Sequence, residues 1–372
     1  MKFGIYVEQQ CPPGKSHRQL TDEILEQIVH ADRYGFDTYA TIEHYFFQEF
    51  GISANPLALF AAAAQLTDRI RFRTALHVVP LHNPLVLASE IAQTVLLTGG
   101  RYDVGVGRGH AWVYTKAGIP LAESRPRYEE AVEIMQRAWR EERLSFSGRF
   151  WDVRDVTVNP RLDPFPPPRL WTGGTSPSTF PMAGERGWGM MCPPLLPFEA
   201  MREGLGAYRA AATDAGHEPQ LMYIRPVWVE EDPAVARREF EEHLLDFVRF
   251  NAVPVYSLHD SALRPELDAT GFQFYTSGTL ESLTNLSWEE LTAGEGGSGI
   301  AFVGPPEQVA DQIAWLFDEA GVTEFCILSN LGGIPSWKAL KLQERFAREV
   351  IPLVKQRSRR WREHLGRQPA SA

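Results

Sequence analysis

The chain has 372 residues, of which 44% are hydrophobic and 23% charged, so it can bury a large core and is neither disordered nor fibrous. Its 37 basic and 47 acidic residues give a formal net charge of −10, which disfavours nucleic acid and anionic membranes as partners. No targeting segment or membrane span is evident, and the three cysteines are far apart in the sequence. We therefore expect a cytoplasmic protein in a reducing compartment.

A repeating strand and helix period runs along the chain. Short apolar runs alternate with helix-period stripes, and a glycine often separates a helix from the next strand. The predicted strands are 2–7, 37–43, 70–80, 101–107, 169–174, 188–193, 221–230, 300–303 and 323–329. Nine runs are compatible with an eight-stranded (β/α)8 TIM barrel plus one surplus run, or with a doubly wound open sheet. We favour the barrel, which typically needs about 250 residues.

The residues beyond that length fall into three places, so we predict one barrel domain over 1–356 with two insertions and a polar C-terminal tail over 357–372. The first insertion, 144–168, is Pro-rich, and its segments 150–153 and 156–158 are predicted to pair as a hairpin. The second, 254–299, combines short helical pieces with a Gly-rich end. We expect it to be a mobile lid whose aromatic side chains, Phe272, Phe274, Tyr275 and Trp288, cap an apolar pocket.

Two segments at strand ends predict a phosphate site. The strand that begins at 101 ends in alternating glycines around Arg108, whose guanidinium suits a phosphate. The segment 173–179 is rich in Gly, Ser and Thr and leads into a helix predicted to start near Ser176. Each segment also has a structural explanation, a tight turn for the first and ordinary N-capping for the second. Their shared position at strand ends, where barrel active sites lie, favours an anion site.

A titratable residue lies at the end of the predicted second strand. We predict that His44 faces the barrel mouth and transfers protons, because an imidazole can take and return a proton near neutral pH. The alternative is a hydrogen-bonded structural histidine. Glu43 is then expected to point outward or to support the strand. The histidines form no metal-ligand pattern, and the fourth strand ends in glycines, so neither a metal hydrolase nor a glycosidase is favoured.

Over nearly all of residues 1–356 the sequence resembles the bacterial luciferase-like family of flavin-dependent monooxygenases. The resemblance is an ordered set of motifs: Gly35-Phe36-Asp37, Glu43-His44, Asn55-Pro56-Leu57, His82-Asn83-Pro84-Leu85, Ala88-Ser89-Glu90, Gly99-Gly100-Arg101-Tyr102, Gly105-Val106-Gly107-Arg108-Gly109, the turn at 173–179, Gly304-Pro305-Pro306-Glu307-Gln308-Val309 and Val350-Ile351-Pro352. It implies a barrel that holds FMN at its C-terminal mouth. The cofactor-binding residues that it implies are Ala75 and Leu76, joined by a cis peptide bond, with Gly107, Arg108, Gly174, Thr175, Ser176, Ser178 and Thr179.

The resemblance also implies a reaction. A two-component monooxygenase of this family uses reduced FMN, supplied by a partner reductase, and O₂ to oxygenate a small organic substrate through a peroxyflavin. A homodimer is suggested by the family alone. Two alternatives stay open: a deazaflavin-dependent hydride-transferring oxidoreductase of the same superfamily, and a flavin-binding protein without catalysis. The substrate is not indicated by any motif.

Overall fold

The strands form a closed parallel barrel. A computed structural model describes residues 1–258, 262–294 and 296–367. The strands are β1 (Lys2–Val7), β2 (Thr38–Thr41), β3 (Arg71–Val78), β4 (Tyr102–Gly107), β5 (Leu144–Ser147), β6 (Asp152–Val156), β7 (Leu170–Gly173), β8 (Gly189–Cys192), β9 (Leu221–Val229), β10 (Phe302–Gly304) and β11 (Glu324–Asn330). Eight of them pair in the order β1-β2-β3-β4-β7-β8-β9-β11, and β11 pairs with β1 to close the ring. The predicted barrel is confirmed and the open sheet is excluded.

Helices cover the outside of the ring. They are α1 (His17–Arg33), α2 (Pro56–Ala64), α3 (Pro84–Leu97), α4 (Ala111–Ala117), α5 (Ser124–Arg140), α6 (Thr179–Glu185), α7 (Phe198–Asp214), α8 (Pro233–Tyr256), α9 (Arg264–Ala269), α10 (Thr279–Thr284), α11 (Trp288–Thr292), α12 (Pro306–Asp318), α13 (Ser336–Arg345), α14 (Ile351–Arg357) and α15 (Arg359–Arg367). On α1 the residues Leu20, Ile24 and Ile28 are buried, as its apolar stripe predicts. No described helix has the length and apolar character needed to cross a membrane.

The surplus run of the sequence is a real strand that lies outside the ring. Strand β9 pairs with β11 from Met222 to Pro226, where the ladder ends. Its last residues, from Val227 to Val229, pair instead with β10. Because β9 is nine residues long, its last residues extend beyond the ladder with β11 and pair with β10 there. The barrel itself keeps eight strands.

The hairpin of the first insertion forms, but with different partners from those predicted. Strand β6 pairs with β5, which precedes it, and not with residues 156–158. The turn at Gly148 explains the difference, because its N–H donates to the Trp151 carbonyl at 3.0 Å and reverses the chain there. The prediction missed β5 because only its first residue, Leu144, is fully buried.

The second insertion and the tail both contain helices. The insertion carries α9, α10, α11 and the single turn Gln273–Tyr275, and its residues 259–261 and 295 lie outside the described residues. In the tail, predicted only as a polar segment, α15 forms because the Asp318 carboxylate accepts hydrogen bonds from the backbone N–H groups of Arg359 and Arg360 at 2.8 and 3.1 Å. The first N–H groups of a helix have no partner within it, so Asp318 caps α15 from a neighbouring element. Residues 368–372 of the predicted tail are also outside the described part.

The interior of the barrel carries a buried ionic layer below the mouth. Arg73 on β3 lies within 2.8 Å of the Glu324 carboxylate and 3.2 Å of the Asp103 carboxylate, and its guanidinium stacks 3.6 Å from the ring centroid of Trp171. These four side chains come from four strands of the ring, and the guanidinium offsets the charge of the two carboxylates. These buried side chains fill the ring, and none of them lines the cavity at the barrel mouth.

Candidate functional site

A cavity of about 490 Å³ opens at the C-terminal ends of the barrel strands, which is where the sequence placed the site. That volume falls in the range of about 300–1,000 Å³ that is usual for small-molecule and cofactor sites. All the predicted cofactor-binding residues line it: Ala75, Leu76, Gly107, Arg108, Gly174, Thr175, Ser176, Ser178 and Thr179. The structure therefore brings together residues that lie up to 104 positions apart (179 − 75).

One end of the cavity is cationic. The side chains of three arginines line it: Arg108, Arg125 and Arg186. The carboxylate of Glu129 lines the cavity near them. Arg108 donates to the backbone carbonyls of Thr270 and Gly271 in the second insertion, at 2.7 and 3.1 Å. Burial, together with the neighbouring Arg125, lowers the pKa of Arg108, and no carboxylate of the described residues forms an ion pair with it. An anion at this end would gain several charge-assisted hydrogen bonds.

The turn at 173–179 differs from the prediction in one respect. Helix α6 begins at Thr179 rather than near Ser176 and has seven residues. The predicted alternative of N-capping does not explain the hydroxyls, because Ser178 stands at the N-cap but makes no capping hydrogen bond. Its Oγ lies instead 3.2 Å from the Oγ of Ser176. The two hydroxyls thus stay available to a ligand on the cavity wall.

The middle of the cavity wall is the backbone of β3. The peptide bond between Ala75 and Leu76 is cis, as predicted. Both residues are partly exposed while their neighbours Thr74 and His77 are buried, so this stretch faces the cavity. A Cβ at Gly107 would lie 2.5 Å from the Leu76 side chain. The absence of a side chain at Gly107 is therefore what leaves room for Leu76 at the wall.

Glu43 faces inward, which corrects the expectation that it points outward. Its side chain is buried and lines the cavity. Its carboxylate accepts hydrogen bonds from His77 Nδ1, from His82 Nε2 at 2.7 Å and from the Tyr45 hydroxyl at 2.8 Å. Burial acts to raise the pKa of Glu43, but the hydrogen bonds from the two histidines outweigh it and lower the pKa to about 2. Glu43 is therefore a fixed anion beside the cavity.

The Glu43 cluster continues into the barrel. His77 Nε2 lies 2.8 Å from the Tyr102 hydroxyl, which lies 2.6 Å from the Thr74 hydroxyl. With Nδ1 donating to Glu43, a neutral His77 accepts from Tyr102. Sequence reasoning missed this cluster because its members come from β3, β4 and the turns after β2 and β3. The only sequence signal was that Glu43, His77 and His82 each stand near or just beyond a predicted strand end.

His44 does not line the cavity, which corrects the prediction that it faces the barrel mouth; it lies one layer behind the wall. Its ring centroid is 4.1 Å from that of Phe50, which does line the cavity, and 6.1 Å from that of His110. Both of its ring nitrogens are buried and have no hydrogen-bond partner among the described residues. Burial, reinforced by His110, holds the pKa of His44 well below its ordinary value. His44 is thus a neutral imidazole, and it is not the hydrogen-bonded structural histidine of the alternative interpretation.

The second insertion covers the cavity on one side. The Tyr275 hydroxyl lies 2.6 Å from His110 Nδ1, and the Phe272 ring lies under Arg108 at 4.5 Å. Phe272, Phe274 and Tyr275 all line the cavity, as their predicted capping role requires. Trp288 does not line it and packs near Phe240 instead, with ring centroids 6.5 Å apart. The insertion therefore contacts the site mainly through the segment 271–275.

Residues 1–324 match the family model described as luciferase-like monooxygenase. The oxygenase component of a flavin-dependent trigonelline monooxygenase from Acinetobacter baylyi is 28% identical over 249 residues, 64% of this chain and 69% of that protein. An F420-dependent glucose-6-phosphate dehydrogenase from Kineococcus radiotolerans is 29% identical over 255 residues, 63% of this chain and 70% of that protein. The crystal structure of monooxygenase RslO1 from Streptomyces bottropensis aligns with a TM-score of 0.74 at 28% identity, covering 95% of this chain and 99% of that one.

The Glu43 cluster yields a stability prediction. Glu43→Gln should lower the free energy of unfolding at neutral pH by about 3 kcal/mol, because a buried acceptor of three hydrogen bonds is replaced by an amide whose NH₂ group faces a donor. The folded pKa of Glu43 is depressed, so its contribution is present above the unfolded carboxyl pKa of about 4.3. It is lost as the pH falls through about 2.

Urea unfolding at several pH values measures this difference. The exposed neighbour Glu90 provides the matched control, and Glu90→Gln should change the free energy of unfolding little. Equal effects of the two substitutions at neutral pH would contradict a special role for the Glu43 carboxylate. So would a Glu43→Gln effect that does not shrink in acid.

Proposed function

The chain belongs to the luciferase-like monooxygenase family, and from that premise we propose that it is an FMN-dependent monooxygenase that oxygenates a small organic substrate with O₂. The observation that carries the proposal is one cavity in which an arginine and hydroxyl cluster at one end adjoins the backbone wall of Ala75 and Leu76. The similarity to a flavin-dependent monooxygenase supports it. The test is aerobic turnover with FMN and a general flavin reductase, followed by O₂ uptake and product analysis.

The residues present fit FMN. Arg108 and the hydroxyls of Ser176, Ser178 and Thr179 would hold the phosphate, since together they offer charge and directional donors at one end. Gly107, Gly174 and Thr175 line the passage from that end, and Ala75 with Leu76 would border the flavin ring. Reduced FMN, when bound, supplies the activation of O₂. The second insertion, whose Phe272, Phe274 and Tyr275 line the cavity, would then help to keep water out.

We assign proton transfer in the proposed reaction to His44. Its lowered pKa keeps the imidazole neutral at pH 7, so a proton that it accepts is readily returned, and neither ring nitrogen is hydrogen-bonded to another described residue. Phe50 separates His44 from the cavity, so proton transfer requires this ring to turn aside. Glu43 stays ionised on the same strand end and favours a positive charge on a nearby imidazole.

The expected reductase partner, cellular location and oligomeric state belong to the same proposal. A separate reductase would supply reduced FMN, in line with the name of the relative as an oxygenase component. A cytoplasmic, reducing location agrees with three free buried cysteines.

Val86 and Leu97 are exposed apolar residues of α3, and Leu66 is exposed shortly after α2. We propose that this face forms a homodimer.

A second candidate is a deazaflavin-dependent hydride transfer. The F420-dependent relative favours it, and Arg125 and Arg186 add exposed positive charge beyond Arg108 that could hold a longer acidic cofactor tail. One experiment, turnover measured with each cofactor, distinguishes the two functions. The monooxygenase consumes O₂ with reduced FMN, whereas the hydride transferase works with F420 in the absence of O₂.

We predict that Arg108→Ala weakens FMN binding by about 1.5–3 kcal/mol, which is the usual contribution of a charge-assisted hydrogen bond. Arg108→Lys should restore only part of it, because lysine lacks the planar fork. Fluorescence titration of FMN measures the affinity. Arg127→Ala is the matched control, since Arg127 pairs with Glu123 and does not line the cavity. Equal FMN affinity in the Arg108→Ala and parent proteins would refute the phosphate assignment.

We predict that His44→Ala binds FMN nearly as well as the parent, while oxygenation falls by about 10²-fold, the usual size of a general acid or base effect. The readout is product formed per FMN oxidised, measured across pH. His30→Ala, which removes an imidazole from the last turn of α1, is the control. An unaltered pH profile and product yield in His44→Ala would show that this imidazole transfers no proton.

We predict that a variant in which a short Gly/Ser linker replaces residues 264–292 keeps a folded barrel but releases several-fold more hydrogen peroxide per FMN oxidised, because water then reaches the site. The milder Tyr275→Phe, which removes the hydroxyl that contacts His110 and the backbone of Ala111, should show a smaller increase. Peroxide and O₂ uptake are measured together. Unchanged peroxide release from the shortened variant would mean that the insertion does not protect the reaction.

A further inference from the structure

A buried carboxyl lies on the cavity wall far from the arginines. Glu8 directly follows β1 and is 4% exposed, yet it lines the cavity. In the ring order β1 lies opposite β7, four strands away in either direction. Glu8 is therefore across the barrel mouth from the turn at 173–179. The cavity has one cationic end and, on the opposite wall, a carboxyl that the proposed cofactor contacts do not use.

The protein gives this carboxyl only neutral hydrogen-bond donors. The Tyr6 hydroxyl donates to Glu8 Oε1 at 3.3 Å, and Asn251 Nδ2 donates to Oε2 at 3.1 Å. Tyr6 and Asn251 line the cavity too. No lysine, arginine or histidine of the described residues is paired with Glu8 in an ion pair. A carboxylate can accept about four hydrogen bonds, so capacity remains for a donor that enters the cavity.

The surroundings of Glu8 are apolar. The cavity residues on the elements next to Glu8 include Ile42 just after β2, Phe50, and Val255 one helical turn after Asn251. Burial in these surroundings raises the pKa of Glu8 to about 7, and the donated hydrogen bonds only partly oppose the rise. An uncompensated carboxylate in an apolar wall is costly, and a cation placed against it removes that cost.

We propose that Glu8 is a specificity-determining residue that binds a basic nitrogen on an otherwise apolar substrate. The inference rests on the proposed function in one respect. It takes the ligand that binds beside Glu8 to be the substrate that is oxygenated. A protonated amine would complete the partners of Glu8, while its apolar body packs on Phe50 and Val255. A neutral hydroxyl would bind more weakly, and a carboxylate would be repelled.

Calorimetric titration of the full chain with benzylamine, benzyl alcohol and benzoate tests this without FMN, so the result does not depend on the cofactor assignment. We expect benzylamine to bind most tightly. Glu8→Gln, which keeps the size of the side chain, should weaken benzylamine binding by about tenfold or more, since hydrogen bonds to charged groups are the stronger ones. Binding of benzyl alcohol should change little.

Glu129→Gln is the matched control because Glu129 also lines the cavity, but at its exposed, arginine-rich end. It should leave benzylamine binding unchanged. Equal losses in the two variants would overturn the proposal, because any carboxylate would then attract the amine. A parent protein that does not bind benzylamine, or that prefers benzoate, would overturn it as well.

The pH dependence gives a readout that needs no variant. Glu8 ionises near pH 7, so benzylamine, which stays protonated, should bind more tightly at about pH 8 than at about pH 6. The titratable groups on the elements around Glu8 have shifted pKa values of their own. Burial raises that of Tyr6 and lowers those of His44, His110 and His243, and Glu43 stays ionised. Glu8→Gln should abolish this pH dependence of benzylamine binding. If the pH dependence persists in Glu8→Gln, another group causes it.

Discussion

Closure of the parallel ring is the constraint on which the site depends. The pairing of β11 with β1, and of β8 with β9, brings the C-terminal ends of all eight ring strands to one rim. Residues separated by most of the chain then meet, such as Glu8 after β1 and Asn251 on α8. The ionic layer around Arg73 fills the ring below that rim. The space that remains for a ligand is thereby the cavity at the rim.

Apart from Glu129 at the arginine end, the charges of this cavity are segregated. Arginines stand beyond β4 and around the turn after β7, and carboxylates stand at the ends of β1 and β2. The two carboxylates have opposite environments. Glu43 is surrounded by histidine donors and stays ionised, whereas Glu8 has neutral donors and an apolar wall, so its pKa rises to about 7. Such a divergence between two buried carboxyls indicates different roles, one structural anion and one ligand partner.

Local patterns in the sequence were sufficient to predict the barrel and most of its mouth. The strand and helix period indicated the ring, and motifs at strand ends indicated the residues that line the cavity. The prediction went wrong where register or tertiary contacts decide. Glu43 faces inward because its carboxylate is held by His77 and His82, which no alternation along β2 can reveal. The hairpin took β5 as its partner because a turn at Gly148 set the pairing.

The contact between the second insertion and Arg108 ties the cover of the cavity to its anion site. The guanidinium donates to the neutral carbonyls of Thr270 and Gly271. Hydrogen bonds from arginine to a phosphate are roughly twice as strong as those between neutral groups, and they can be bidentate. The group that would bind a phosphate is therefore the same guanidinium that contacts the segment carrying Phe272 and Tyr275. Because these two side chains line the same cavity, Arg108 links the anion-binding end of the cavity to the wall formed by the insertion.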